Sequence, residues 1–421
     1  MKINIPKIYN VITLREKIVF LLVSLLFVAQ PFESVYKAAS IALVCVGILI
    51  LISESSIFKH LVVRQLALVS LLLFIPGVLS YWNAYNVDKT TDYVLQILGM
   101  FLVGVSIFSL FRYKKMLELL TTVIAITSFA WIFDGFIQYF FGKDLLGIPL
   151  DGGRVVGPFC STHMGTLLSV MIPVVLKWLE RFRWWSMILY LASLAAILIL
   201  TGVRTDWVTY LAALILYFAW SKKGRIFFAT IIIPMVIIIV WITISSGSSS
   251  SFANQRVSTF KDGIPKTYNE WNTLLSKRPD IWTTGLHMFE EHPVVGIGAR
   301  GFTSAYQDYR SADDYFDDST QIKESPRHIH HFWFSILAET GIVGFVCFLG
   351  IVFFLFGITA RSKWGIKLYS HPWLITLILI ANPCNSMPPF YKTWFLPIVL
   401  LALAAHLSQL HEKSSSIEVS N

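Results

Sequence analysis

The sequence is short of charge. Asp, Glu, Lys and Arg make up 14% of its 421 residues, while 55% are hydrophobic and the mean hydropathy is +0.65. A soluble chain of this length cannot present so little charge to water, so a soluble globular fold is excluded and a polytopic membrane protein remains. Cysteine is scarce as well. Of Cys45, Cys160, Cys347 and Cys384, two lie inside apolar runs and none shows metal-ligand spacing, which excludes a cysteine-built metal centre. Cys160 and Cys384 fall on one side of the predicted topology, and nothing in their spacing makes them a disulfide.

What is there instead is long apolar runs. At about 20 apolar residues per crossing the chain holds roughly twelve spans, near 16-32, 36-53, 65-83, 92-111, 117-140, 161-178, 184-202, 205-220, 226-245, 330-359, 371-386 and 391-408. The first follows a basic segment but no small-residue cleavage site, so it reads as a span rather than a removed signal peptide. The formal charge of +9 does not form a nucleic-acid patch, because the basic residues sit at the ends of apolar runs on alternate sides. Lys2, Lys7, Arg15 and Lys17, then Arg112, Lys114 and Lys115, then Lys177, Arg181 and Arg183, then Lys222, Lys223 and Arg225, and finally Arg361, Lys363 and Lys367 mark one side as cytoplasmic. Both termini belong to that side.

This divides the chain into spans 1-9 in residues 1-245, a loop domain at 246-329 on the extracytoplasmic side, spans 10-12 in 330-408, and a cytoplasmic tail at 409-421 whose serines from Ser414 suggest disorder. A connector of roughly 80 residues is too long to be idle, so it is expected to fold over the membrane domain. Arg278 to Phe289 reads as an amphipathic helix with Pro279 in its first turn. His292-Pro293 stops it, and Asp308 to Asp318 is expected to be a mobile acidic segment that gates access.

Polar anomalies concentrate where this loop meets the membrane. His328, His330 and His331 immediately precede an apolar run, with Gly341 and Gly344 following. If His330 begins the helix, steps of about 100° return both glycines to its face, letting a neighbour approach and fixing the histidine. The three histidines are too close in sequence to supply a closed tetrahedral metal site, so no metal is expected and a histidine general base fits better. Arg204 interrupts an apolar stretch. It either pairs with Asp206 or Asp134 or aims its planar fork at an anionic group at the membrane surface. Arg278, at the start of the loop helix, is a second anion-binding candidate, and Arg154 and Arg300 are weaker ones. The glycines from Gly296 to Gly301 lie away from the ATP-containing compartment, so no nucleotide cofactor is expected. A base with two arginines able to hold a diphosphate, at a lipid-accessible surface, suggests group transfer from a polyprenyl-diphosphate donor.

The stretch His330, His331, nine residues, Gly341, two residues, Gly344, with Ala338-Glu339-Thr340 inside it, resembles the signature of the O-antigen ligase family. Residues 278–302 and 201–205 resemble the segments that precede that signature and carry the family's arginine. The resemblance implies an all-α polytopic protein of the GT-C type in the bacterial inner membrane, with its large loop between helices 9 and 10 and its active site facing the periplasm. It implies transfer of undecaprenyl-diphosphate-linked O-antigen onto lipid A-core in lipopolysaccharide biosynthesis, inverting and without cofactor. By position, His330 is the base, and Arg204 and Arg278 hold the diphosphate. The family usually has an amide or hydroxyl residue after that histidine. His331 stands there in this chain, which leaves His331 and His328 as alternative bases.

Related functions remain as alternatives. O-antigen polymerases and protein O-oligosaccharyltransferases use the same type of donor. The short connector from Gly142 to Cys160 favours the ligase, because polymerases tend to carry two large loops. A lipid-linked sugar transporter is disfavoured, since it would place ionisable residues deep in several helices.

Overall fold

The computed structural model describes residues 13–218, 266–312, 314–316, 326–362, 365, 367–383 and 392–415. Among the described residues every regular element is helical, with isolated bridges at Lys143/Pro149 and Asp151/Arg154. The α-helices are α1 (Leu14–Val28), α2 (Glu33–Ser53), α3 (Leu61–Leu79), α4 (Val87–Phe111), α5 (Lys114–Phe141), α6 (His163–Leu179), α7 (Trp184–Thr201) and α8 (Arg204–Phe218). They continue with α9 (Tyr268–Leu274), α10 (Arg278–Glu291), α11 (Phe302–Tyr309), α12 (Phe332–Ala360), α13 (Pro372–Ile380) and α14 (Leu396–Ser415). The predicted span 226-245 and Cys384 lie outside the described residues, and a helix overlaps each of the other predicted spans. Six helices are long and apolar enough to cross a membrane by themselves: α2, α3 with the turn that follows it, α4, α5, α7 and α12.

Local chemistry sets the boundaries. Thr13 and Glu16 close a capping box at α1, and Asn86 caps α4 by accepting from the Lys89 N–H at 3.0 Å. Gly142 ends α5 and Gly202 ends α7, both in the left-handed region. Burial then sorts the helices into layers. α6 is buried from Met164 to Leu176, and α14 packs against α13 and α4 with Leu401, Ala402, Ala404 and Leu407 fully covered. These form the centre of the bundle. α2 and α12 expose Leu49, Ile52, Val346 and Phe353, which suits an apolar surround.

The region after α12 begins corrects one expectation. α12 starts at Phe332, with His331 as its N-cap, so His330 is not a helical residue and does not share a face with Gly341 and Gly344. Gly341 interrupts the helix at φ 64°, ψ −163°, a conformation reserved for glycine. The acidic segment is corrected too. Asp314 is buried and accepts from the Tyr306 hydroxyl at 2.8 Å and the Thr284 hydroxyl at 3.3 Å, so this part is anchored rather than mobile. Asp313, Asp317 and Asp318 lie outside the described residues. α14 runs on to Ser415, into the tail that the serine content assigned to disorder.

Candidate functional site

The loop after residue 265 is built around α10. Thr267 caps α9, and Asp280 gathers the Tyr268 hydroxyl at 2.7 Å, the Asn272 amide at 2.6 Å and the Tyr315 N–H at 3.2 Å. Ile281 and Met288 from α10 pack with Phe302 and Tyr306 of α11, with Ile329, and with Ala338 of α12 into a small separate core. This core seats the loop on the bundle.

The break at Gly341 makes the seat a backbone joint. Opening the helix there frees the Ala338 carbonyl to accept from the Ile297 N–H at 3.0 Å. The Ile342 and Val343 N–H groups donate to the Pro293 and Val294 carbonyls at 2.8 and 3.2 Å. A Cβ on Gly341 would sit 2.3 Å from the Val294 carbonyl oxygen, and one on Gly296 would sit 2.4 Å from the Glu339 carbonyl carbon. Gly296, Gly298 and Gly301 are spaced as Gly-x-Gly-x-x-Gly, and at Gly296 that spacing serves close contact with α12 rather than a phosphate. The side chain of Glu339 completes the joint by accepting the Arg300 and Phe302 N–H groups at 3.1 and 3.3 Å. Beyond α12, Ile297 and Ala299 bond to Tyr85 and Ser80 at the α3–α4 turn.

This seating gathers the candidate residues. Arg204 opens α8 and donates from Nη2 to the Ser276 hydroxyl at 2.9 Å, two residues before Arg278. Asp206 and Asp134, its expected partners, accept from the Thr166 hydroxyl at 3.0 Å and the Leu145 N–H at 2.8 Å. Ser276, Lys277, Arg300 and His330 all adopt positive φ, and they are the non-glycine residues that do so among the described residues. Such conformations are costly and cluster where a structure holds side chains for use. All four lie in this one loop.

The three histidines have different surroundings. His331 caps α12 by accepting the Phe334 N–H at Nδ1, 3.3 Å away, while its ring stacks on Phe334 at 4.1 Å and meets Trp282 edge-on. His328 and His330 lie ring to ring at 4.0 Å. Both nitrogens of His328, and Nδ1 of His330, are buried without a hydrogen-bond partner, so Nε2 of His330 is the nitrogen left to meet a substrate. Burial, then the charges of Arg278 and Lys392, lower the His330 pKa to about 4. His328 is held well below its ordinary value by burial, then by His330, Lys392 and Arg278. Both rings are therefore neutral near pH 7, the form that accepts a proton.

Lys392, Arg327 and Glu339 are parts of this setting that the motif reading missed. Burial lowers the Lys392 pKa, with Arg300 and Arg327 acting the same way and Glu339 opposing them. A signal existed: Lys392 is an isolated basic residue just ahead of the last span, on the side the topology leaves poor in positive charge. Arg300 is engaged at Asp92, 3.9 Å away, and through its N–H at Glu339. Arg154 lies in the α5–α6 connector, where its backbone pairs with Asp151. Among the described residues no group of three or more His, Cys, Asp or Glu is arranged to hold a metal ion.

Beneath the histidines, Trp333 donates its indole N–H to the Ala381 carbonyl at 3.1 Å. It roofs an apolar cavity of about 450 Å³ between α8, α12, α13 and α14, lined by Ala212, Leu216, Phe348, Val352 and Leu377 among others.

Fold and site together define a polytopic helical membrane protein that presents neutral histidines among cations at one face of the bundle. Residues 188–349, from α7 through the loop to the middle of α12, match the family model described as O-Antigen ligase. The chain thus belongs to the O-antigen ligase family through a domain that contains Arg204, Arg278 and the His330-to-Gly344 signature. No curated protein matches it.

Proposed function

We propose that this chain is the O-antigen ligase of its host, a GT-C type protein of about twelve spans in the bacterial inner membrane with both termini cytoplasmic. It transfers O-antigen from undecaprenyl diphosphate to a sugar hydroxyl of lipid A-core on the periplasmic face. Arg204 and Arg278 bind the diphosphate, and His330 is the general base. The observation that carries this reading is the meeting of the Arg204–Ser276 contact, Arg278 and a neutral His330 within one family-matched domain. The apolar cavity under Trp333 supports it, because a polyprenyl tail laid there keeps its diphosphate near the histidines.

In the reaction the acceptor hydroxyl gives its proton to Nε2 of His330 while its oxygen bonds to the anomeric carbon of the donor. The bond from that carbon to the diphosphate oxygen breaks, and its electron pair leaves on the diphosphate. Attack opposite the leaving group inverts the anomeric centre. Cations already in place stabilise the charge developing on the leaving group without reorganising, where electrostatic catalysis is strongest. Neutralising those cations with the donor removes two of the causes that depress His330, so the base strengthens once substrate is bound.

The test is a gel profile of lipopolysaccharide and of the lipid-linked pool in a deletion strain complemented with this gene. Core-only lipopolysaccharide with long lipid-linked polymer in the deletion, restored by wild type, supports the ligase. Core capped by a single repeat assigns the chain to polymerisation instead. Unchanged lipopolysaccharide with an unglycosylated protein assigns it to protein O-glycosylation.

A further inference from the structure

We propose that Lys392 is a third cation of the diphosphate site, supplied by the last helix of the bundle and acting with Arg278 from the loop. The inference rests on the donor class argued above and adds a ligand that the family motifs do not contain.

Three observations carry it. First, Lys392 is held in place. Its carbonyl accepts the N–H groups of Phe395 and Leu396, both at 3.1 Å, which starts α14. Two residues on, Trp394 stacks on His163 at 4.2 Å, and the Gln30 amide donates to the Trp394 carbonyl at 3.1 Å and to the Leu26 carbonyl at 2.7 Å. A lysine at the base of so constrained a turn points from a fixed origin.

Second, its ammonium forms no hydrogen bond or ion pair among the described residues, although it is half-buried beside Glu339. Glu339 is occupied by the Arg300 and Phe302 N–H groups. A half-buried lysine that ends on no carboxylate is costly unless an anion arrives.

Third, the surrounding charge is of one sign. Lys392 and Arg278 both act on His330 and His328, and Arg300 and Arg327 act on Lys392. The acidic groups facing this cluster are Glu339 and, at Arg300, Asp92. The buried nitrogens of His328 and His330 that lack partners lie in the midst of these cations. A diphosphate carries enough charge and acceptor oxygens to engage Lys392 and the arginines at once, whereas one carboxylate does not. Because Lys392 belongs to the bundle and Arg278 to the loop, an anion between them ties the two together.

The experiment measures equilibrium binding of undecaprenyl diphosphate, undecaprenol and lipid A to the purified full chain in nanodiscs, for wild type, Lys392→Gln, Lys392→Arg and Arg278→Gln. Undecaprenol is the uncharged reference. Lipid A is included because its phosphates are the other source of the same chemistry. The expected result is that Lys392→Gln weakens undecaprenyl diphosphate roughly tenfold or more, the loss of one charged contact, with undecaprenol and lipid A unchanged and Lys392→Arg within a few-fold of wild type. A structural role alone would move all three ligands together, and that result overturns the proposal. Undecaprenyl diphosphate binding unchanged in Lys392→Gln but lost in Arg278→Gln also overturns it while leaving the donor reading intact. Weakening confined to lipid A moves Lys392 to the acceptor and overturns it as well. If wild type prefers undecaprenyl diphosphate no more than undecaprenol, the donor reading fails and this inference with it.

Discussion

Gly341→Ala isolates the joint between loop and bundle. The backbone at Gly341, φ 64° and ψ −163°, lies in a region that side chains enter at a cost of order 1–3 kcal/mol. The added Cβ would stand 2.3 Å from the Val294 carbonyl oxygen and 2.6 Å from the Val295 nitrogen. Backbone cannot rotate away as a side-chain tip can, so either α12 straightens or the segment 293–297 lifts. Both routes break the bonds from Ile297, Ile342 and Val343, worth about 1 kcal/mol each. The sum, about 4–6 kcal/mol, exceeds what a joint of this size withstands but not what the buried bundle does. The loop should therefore detach locally while the spans stay folded. Hydrogen exchange should show lost protection over residues 292–302, and lipopolysaccharide gels should show loss of transfer. Gly350→Ala is the control, because a Cβ there meets nothing within 4 Å and alanine suits a helix interior. Gly341→Ala with native protection and native transfer would refute the joint.

The remaining predictions concern the histidines. His331→Asn keeps an N-cap acceptor for the Phe334 N–H, so transfer and stability should stay near wild type, whereas His331→Ala should cost about 1 kcal/mol in a thermal or denaturant assay. On pH, the His330 pKa is depressed to about 4, so the free enzyme holds its base deprotonated at neutral pH and loses it as pH falls through that value. The acid limb of kcat/KM should lie near pH 4 to 5, and the limb of kcat, which reports the donor-bound state with its cations neutralised, should lie higher. Arg278→Gln removes one depressing charge, so it should shift the acid limb of kcat/KM upward. A limb that stays put would mean that Arg278 does not act on the base.

Much of this was legible in the sequence because it depends on period and composition. Apolar run lengths placed the spans, and Pro279 with the amphipathic pattern placed α10, observed as Arg278–Glu291. The glycine pair Gly341/Gly344 was noticed for the right reason, close approach, but assigned to the wrong neighbour. A helical wheel assumes an unbroken helix, and Gly341 matters because it breaks one. The approaching element is an irregular loop rather than another helix. Asp314 looked solvated because its neighbours are acidic, and only the tertiary meeting of Tyr306 and Thr284 buries it. Lys392 was invisible to motif reasoning because its partners lie tens to hundreds of residues away in the chain.

The central claim is that His330 is the base of a metal-free transfer from a polyprenyl-diphosphate donor. The most direct test is transfer by purified protein, with undecaprenyl-diphosphate-linked O-antigen and lipid A-core in the presence of EDTA, comparing wild type, His330→Ala, His328→Ala and His331→Asn. The account predicts turnover by wild type and His331→Asn, product with inverted anomeric configuration, and a loss of at least 100-fold for His330→Ala, the low end of what a general base supplies. Turnover by His330→Ala within a few-fold of wild type would contradict it, and loss in His328→Ala instead would move the base two residues along the chain.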